Sequence, residues 1–500
     1  MTKTIYPASI LCDMYKLFHR VQYPKGTSKV YTVAAFRGNK HFPRSNKVVN
    51  FGGQPMVKKY LINYFNEHFF NRKKEEVILE YVRFIKFTTS DQNPDFSHIA
   101  ALHDLGYLPV KIKALPEGIL VPMQVPVMTI ENTHEDFFWV TNFLETLISS
   151  CLWMPSTNAT VAKVYRDILD KFAMETVGHT DDVDFQAHDF SMRSMSSPES
   201  AILSGAAHLT SFSGSDTAPA APFLEEYYNA NMEKELVMSS IPATEHSIAC
   251  ANTTPDDRDE YEAFKRLITE VYPSGFVSIV SDTYDFYKVL GETIPKLKDI
   301  IMKRDGRVVL RPDSGNPVKI LTGDPEGKTE LERKGAVEAL WDTFGGTISE
   351  KGYKVLDSHI GLIYGDGMTH DVVEEICQRL KEKGFASTNV VLGIGGYSYH
   401  FSTSRDSFSF ATKATYAVIN GEERMLFKDP ITDPGKRSHR GLVAVFENGY
   451  FGELDYEDGL NRESYERIYG DSDLLEPIFE DGELLRDEKF SDIRERLKRQ

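Results

Sequence analysis

The stretches FVSIVSD (276–282), VVLRPD (308–313), IGLIYGD (360–366) and VVLGIGG (390–396) decide the fold. Each is a short apolar run ending in a carboxylate, an arginine or glycines, and a helix-like segment follows each one. A strand, a turn and a crossover helix make the unit of a parallel α/β sheet or barrel, whose strands read as unbroken apolar runs because both their faces are buried. Toward the N-terminus the same arrangement recurs at residues 183–185 before His188, 209–212 before Asp216 and 236–238 before His246. Most of these turns come about 30 residues apart, the length of one βα unit. The longest interval, between Asp313 and Asp366, holds an insertion with a helix predicted at 330–343. Ligands of such folds sit at the carboxyl ends of the strands. Residues 179–404 are therefore expected to form an irregular (β/α) barrel with its site on one rim.

Outside this region the pattern changes. Residues 30–36 read as a strand ending at Arg37, and helical spacing runs through 56–70 and 74–87. Short strands are predicted at 110–112, 119–121 and 127–130, followed by helices over 137–153 and 160–176. After Gly396 come a strand pair with a turn at Asn420-Gly421, a strand at 442–446 and a terminal helix near 490–498. Too short for a core of their own, residues 405–500 are expected to complete an α+β domain with residues 1–178.

The 500 residues are 41% hydrophobic and 26% charged, as in ordinary globular proteins. A formal net charge of −17 argues against a nucleic-acid partner, which would need a basic face. The four cysteines (Cys12, Cys151, Cys250, Cys377) form no CxxC pair, against a zinc site of familiar spacing or a disulfide scaffold. Residues 1–16 lack the pattern of a signal peptide, and the most apolar segment, 137–153, is too short and polar to span a bilayer. A soluble, cytoplasmic protein without a membrane partner is expected.

The residues at the strand ends form a mixed constellation: His188, Arg193, Asp216, His246, Asp282, Arg311, Asp313, Asp366, Gly393, Gly395 and Gly396. No GxSxG elbow or HExxH pair is present, so neither a serine hydrolase nor a zinc peptidase is indicated. Gly393-Ile394-Gly395-Gly396 suits a turn whose backbone N–H groups approach a phosphate. Asp313 and Asp366 suit ribose hydroxyls, a metal or a helix cap, and Arg311 suits a phosphate or a neighbouring carboxylate. Together they point to a phosphorylated sugar. No lysine ends a central strand, which disfavours a Schiff-base aldolase.

Longer motifs carry a resemblance. His188-Asp189-Phe190 with Arg193, Gly214-Ser215-Asp216-Thr217, Ala243-Thr244-Glu245-His246-Ser247 and Val280-Ser281-Asp282 resemble the nicotinamide phosphoribosyltransferase family, within the type II phosphoribosyltransferases. So do Arg311-Pro312-Asp313-Ser314-Gly315-Asn316-Pro317, Gly365-Asp366-Gly367 and the run from Phe427-Lys428-Asp429-Pro430 to Lys436-Arg437-Ser438. The similarity extends from Asp13 and Tyr15 to the terminal helix.

The resemblance implies synthesis of nicotinamide mononucleotide and pyrophosphate from nicotinamide and phosphoribosyl pyrophosphate, with Mg²⁺ carried by the pyrophosphate, in homodimers with shared sites. It implies that Phe190 and the partner's Tyr15 sandwich the pyridine ring, with Asp13, Arg193 and Arg311 nearby, and that Asp216 accepts from the amide NH₂. Asp313, Gly365 and Asp366 would bind ribose, and Gly395 and Gly396 the 5′-phosphate. Arg37, His188, Arg405, Lys413, Lys428 and Lys436 would neutralise phosphate and pyrophosphate. His246, with Glu245 and Asp282 beside it, resembles a histidine phosphorylated by ATP, the coupled substrate. A carboxylate at Asp216 favours the neutral amide over nicotinate, the base of the alternative transferase; a non-catalytic binding protein would be expected to lack His246, Arg311 or Asp313. The chain departs from the family at Ser191-Met192, Tyr397 and Ala411, and its loop from Gly396 to Arg405 is one residue longer. Thr244, a small hydroxylated residue beside His246, receives no role.

Overall fold

The computed structural model describes residues 6–254, 258–365, 367–432, 438–449 and 452–500. The chain divides into two compact units: Met1–Thr160, Phe223–Ala230 and Ser404–Gln500 make the first, Val161–Pro222 and Asn231–Thr403 the second.

In the second unit six strands run parallel in the order Gly214–Ser215, Ala187–Asp189, Val390–Ile394, Ile360–Tyr364, Val308–Arg311, Val277–Val280. Its two edges are joined through residues 239–243, where Ser239 bridges Gly214 and Ala243 bridges Ser278, both in parallel. The sheet thus closes on itself as an irregular barrel. Strands Val277–Val280 and Ile360–Tyr364 are buried along their whole length, which is why they read as apolar runs.

The first three predicted strands are displaced. Residues Asp181–Phe185 form a tight helical turn, 209–212 prolong helix Pro198–His208, and 236–238 are loop; the staves begin a few residues later. Leu209 N and Phe212 N donate to the carbonyls of Gly205 and His208 (3.0 and 3.2 Å). Both side chains are buried, so these apolar residues fill the core from a helix end rather than from a strand. The insertion forms helices Pro317–Thr322, Glu330–Lys334 and Ala336–Phe344 and the hairpin Gly346–Ile348/Lys354–Leu356.

The first unit is built on a seven-stranded sheet in the order Glu422–Met425, Phe410–Ile419, Thr27–Phe36, Pro126–Asn132, Val110–Ala114, Glu476–Glu480, Glu483–Leu484. The hairpin at 419–422 turns on Asn420 and Gly421, both at positive φ, as a two-residue primed turn requires. The two helices expected over 137–176 are one, Val140–Thr176, with Pro155 inside and the unit division at 160/161 within it. An interior proline costs about 3 kcal/mol in a helix. The chain beside it is tied to the helix there: Ser156 Oγ accepts from Phe51 N (3.2 Å) and donates to Phe51 O (2.8 Å). A Cβ on Gly52, at φ 103°, would lie 2.5 Å from Pro155 Cγ, so only glycine lets that loop approach.

Glu117 is buried in the same unit and accepts from Tyr228 Oη (2.6 Å), Gln54 N (2.7 Å) and Gly52 N (2.9 Å). Burial and the nearby Glu488 carboxylate nevertheless push its pKa up to about 7. A folded pKa above the unfolded value of about 4.3 means that the folded state keeps the proton longer, so this stabilisation is complete at low pH and about 3 kcal/mol is lost as pH rises toward 7. The thermal unfolding midpoint should therefore be lower at pH 8 than at pH 5. In Glu488→Gln, which removes the repulsion, melts at both pH values should show a smaller gap; an unchanged gap contradicts the assignment.

No helix among the described residues is long and apolar enough to cross a membrane.

Candidate active site

A cavity of about 1710 Å³ lies within the second unit. Its lining reaches from the carboxyl ends of the strands (Asp216, Arg311, Asp313, Gly365, Gly395) to their amino ends (Phe276, Arg307, Ile360). Of the residues that chemistry singled out in the sequence, His188, Arg193, Asp216, Arg311, Asp313, Gly395 and Gly396 line it, because parallel staves all end on the same rim; His246, Asp282 and Gly393 are not in its lining.

Strand pairing sets the first cluster. His188 lies opposite Gly214 on one side and Gly393 on the other. Its Nε2 is 2.8 Å from Asp216 Oδ1, and Ser240 Oγ donates to the same oxygen at 2.5 Å. Burial pushes the Asp216 pKa up, but the hydrogen bond and charge of His188, Ser240 and the charge of Arg311 outweigh it, leaving the carboxyl below its ordinary value. His188 was expected among the phosphate ligands; the structure pairs it with Asp216 because their strands are adjacent. Ser240 was missed in the sequence, sitting in a loop without an apolar run.

Arg311 ends strand Val308–Arg311 with its side chain 16% exposed. Nη2 donates to Thr244 O (2.6 Å), Nη1 lies 3.6 Å from Asp313 Oδ2, and the buried Nε–H has no hydrogen-bond partner among the described residues. Thr244 now has a role. Its hydroxyl accepts from Val280 N (2.9 Å), tying the loop before His246 to the neighbouring strand, while its carbonyl holds Arg311.

The third cluster surrounds Asp282, whose side chain is only 4% exposed. Oδ2 accepts from Asp313 N (2.9 Å) and Ser314 Oγ (2.6 Å), which shapes the turn after Arg311. Oδ1 makes no hydrogen bond among the described residues and lies 3.9 Å from His246 Nε2; Asp313 Oδ2 is 4.0 Å from the same nitrogen. The half-exposed His246 opens helix His246–Ala251, and its Nδ1 is 3.1 Å from Thr283 Oγ1. Glu245 precedes it and accepts from Ser247 Oγ. Thr283, which follows Val280-Ser281-Asp282 directly, thus holds one ring nitrogen while Asp282 lies near the other.

Phe190 packs beside His188, ring centroids 4.9 Å apart. A Cβ on Gly393 would fall 2.4 Å from Phe190 Cδ2 and 2.8 Å from Gly365 Cα, and one on Gly396 2.2 Å from Ser194 Cβ; both glycines permit close approach. A Cβ on Gly395 would meet nothing within 4 Å. Arg193, exposed, also lines the cavity.

Asp13, Tyr15, Arg37, Arg405, Lys413 and Lys428 belong to the first unit. Asp13 Oδ2 accepts from Thr146 Oγ1 (2.8 Å), beside Tyr15, which is 56% exposed. Glu145 pairs with Lys16 (2.6 Å) and Lys413 (3.4 Å). Arg37 Nε donates to Ser409 O (3.1 Å); burial and the charge of Arg405 lower its pKa. Lys428 N donates to Ser438 Oγ (2.9 Å). Asp366 and Lys436 lie outside the described residues.

Residues 185–475 match the nicotinate phosphoribosyltransferase (NAPRTase) family, and residues 8–112 match the nicotinamide phosphoribosyltransferase N-terminal domain. A nicotinamide phosphoribosyltransferase of Acinetobacter baylyi is 45% identical over 98% of this chain and 96% of its own length. One of Mycoplasma pneumoniae is 35% identical over 86% and 94%. Among solved structures, a nicotinate-nucleotide pyrophosphorylase from Pyrococcus furiosus superposes with a TM-score of 0.58 at 17% identity, covering 100% of this chain and 98% of that one. Human nicotinic acid phosphoribosyltransferase gives 0.55 at 14%, covering 98% and 93%. These two likenesses bear on the fold.

Proposed function

The chain belongs to the nicotinate phosphoribosyltransferase family, and on that footing we propose that it transfers the phosphoribosyl group of phosphoribosyl pyrophosphate to the ring nitrogen of nicotinamide, releasing pyrophosphate. One observation carries the choice of base. Asp216 Oδ2, an acceptor, and Arg311 Nε–H, a buried donor, both belong to residues lining one cavity, and no hydrogen bond reaches either among the described residues. A primary carboxamide offers the complementary pair, NH₂ to the carboxylate and C=O to the guanidinium. Nicotinate would set its carboxylate against that of Asp216. The test is mononucleotide and pyrophosphate formation from each base.

Ribosyl transfer develops cationic character at C1 as pyrophosphate departs, so the protein acts by electrostatics and positioning and needs no nucleophile of its own. Asp313 faces the sugar, the Gly395-Gly396 turn the 5′-phosphate, and Phe190 the flat ring. A single carboxylate such as Asp313 suits a cation bound chiefly by the substrate phosphates. Mg²⁺ so bound would neutralise the leaving pyrophosphate. Arg37, Arg405, Lys413, Lys428 and Lys436 serve phosphate and pyrophosphate, and Tyr15, more than half exposed in the single chain, serves the partner's site in a cytoplasmic homodimer.

Gly393→Ala should displace the Phe190 ring and raise the KM for nicotinamide about tenfold, in proportion to a lost aromatic contact. Steady-state titration of the base checks this, and an unchanged KM contradicts the role of Phe190.

His246 takes the phosphoryl group of ATP in this reading. Its ring is anchored through Nδ1 to Thr283 and remains half exposed. ATP should raise kcat/KM in the native enzyme and leave an acid-labile label from γ-phosphate-labelled ATP. His246→Ala should lose both effects while retaining slow ATP-independent turnover; a label that persists in the variant assigns the phosphoryl group elsewhere.

A further inference from the structure

Two donors converge on one oxygen of Asp216. His188 Nε2 (2.8 Å) and Ser240 Oγ (2.5 Å) both reach Oδ1, and no hydrogen bond to Oδ2 is formed among the described residues. Because an ionised carboxylate only accepts, the imidazole must carry its proton on Nε2. A carboxylate held at one oxygen cannot rotate to exchange the two, so the free oxygen keeps one direction within the cavity that His188, Ser240 and Asp216 line together. The seat of the imidazole is built as well: His188 is buried, and a Cβ on Gly214 would lie 2.7 Å from its Nδ1. Glycine at 214, whose backbone does not require it, leaves room for that ring.

We propose that His188 and Ser240 are specificity-determining positioning residues, which fix Asp216 so that its second oxygen reads the NH₂ of the carboxamide and rejects a carboxylate. The inference rests on the cavity being a nicotinamide site. It differs from a phosphate-binding role for His188, which requires the imidazole to point at an anion rather than at Asp216. Released from its donors, Asp216 can turn away, and nicotinate is then no longer opposed at a fixed distance.

The experiment measures kcat/KM for nicotinamide and for nicotinate, together with the KM for phosphoribosyl pyrophosphate, in the native enzyme, His188→Ala, His188→Gln, Ser240→Ala and Gly214→Ala. The nicotinamide-to-nicotinate ratio should fall about tenfold in His188→Ala, Ser240→Ala and Gly214→Ala, as expected for losing one hydrogen bond to a charged group. His188→Gln, whose amide can still donate to Oδ1, should keep the ratio within about threefold. The KM for phosphoribosyl pyrophosphate should stay constant, which a general disturbance of the barrel would not leave untouched. A native preference for nicotinamide with an unchanged ratio in Ser240→Ala and His188→Ala overturns the proposal alone. So does a loss confined to the KM for phosphoribosyl pyrophosphate, which returns His188 to the phosphate ligands. If His188→Ala does not fold, Ser240→Ala and His188→Gln decide. A native enzyme that uses neither base overturns the underlying function and this inference with it.

Discussion

Arg311→Ala should lower kcat/KM for nicotinamide about a thousandfold, since truncating a buried, hydrogen-bonded charged group at a binding surface costs about 2–5 kcal/mol and each tenfold in rate corresponds to about 1.4 kcal/mol. The guanidinium makes three separate uses of one fork. Nη2 ties down Thr244 O at 2.6 Å, Nη1 faces Asp313 at 3.6 Å, and Nε–H, without a partner among the described residues, is the donor proposed for the carboxamide. Its loss removes the ligand donor, frees the loop that leads into His246, and leaves Asp313 without its cation. Arg311→Lys should recover little, because an ammonium cannot serve three directions in one plane; a deficit of about a hundredfold is expected to remain. Initial rates with both substrates varied, alongside a thermal melt showing a folded protein, check the expectation. A loss below tenfold in Arg311→Ala would place the guanidinium outside the site's working parts.

The second large effect is a change in kind. Asp216→Asn should reduce the preference for nicotinamide over nicotinate by about a hundredfold or more, given about 4 kcal/mol of repulsion between two carboxylates about 4 Å apart at an effective dielectric of 20. The side-chain oxygen of asparagine can take the position of Oδ1 and still accept from His188 and Ser240. Its NH₂ then occupies the position of Oδ2, where it donates to a carboxylate and meets the amide NH₂ unfavourably. Activity with nicotinamide falls and activity with nicotinate rises, so the sign differs between two substrates of equal size. Kinetics of both bases with one enzyme preparation read this directly. An unchanged ratio would remove Asp216 from base recognition.

Much of this architecture was legible in the sequence, and the parts that were not share a cause. Strands Val277–Val280, Val308–Arg311, Ile360–Tyr364 and Val390–Ile394 announce themselves because a stave covered on both faces must be apolar throughout. Ala187–Asp189 and Gly214–Ser215 are two or three residues long, and residues 239–243 pair only through single bridges. Their pairing rests on a few backbone groups of small or polar residues, so the nearby apolar runs at 183–185 and 209–212 drew the strand assignment away from them. Pro155 lies between the two helices read from the sequence, yet one helix runs through it, with Phe51, a hundred residues earlier in the chain, bonded to Ser156 beside it.

The site shows the same division. That Asp216, Arg311, Asp313 and Asp282 stand on one rim follows from their places at strand ends. Which side chain holds which does not, because the pairing of His188 with Asp216, Ser240 with Asp216 and His246 with Thr283 depends on the order of staves around the barrel. Thr244 was unreadable for this reason: its hydroxyl and its carbonyl serve two different neighbouring strands.

The most direct measurement supplies nicotinamide and nicotinate together, in equal amounts, with phosphoribosyl pyrophosphate and Mg²⁺, and identifies the mononucleotides by mass spectrometry. Nicotinamide mononucleotide in large excess, with one pyrophosphate released per mononucleotide, is the expected result. Nicotinate mononucleotide as the main product, or no mononucleotide at all, would contradict the reading of Asp216 and Arg311 as a carboxamide site.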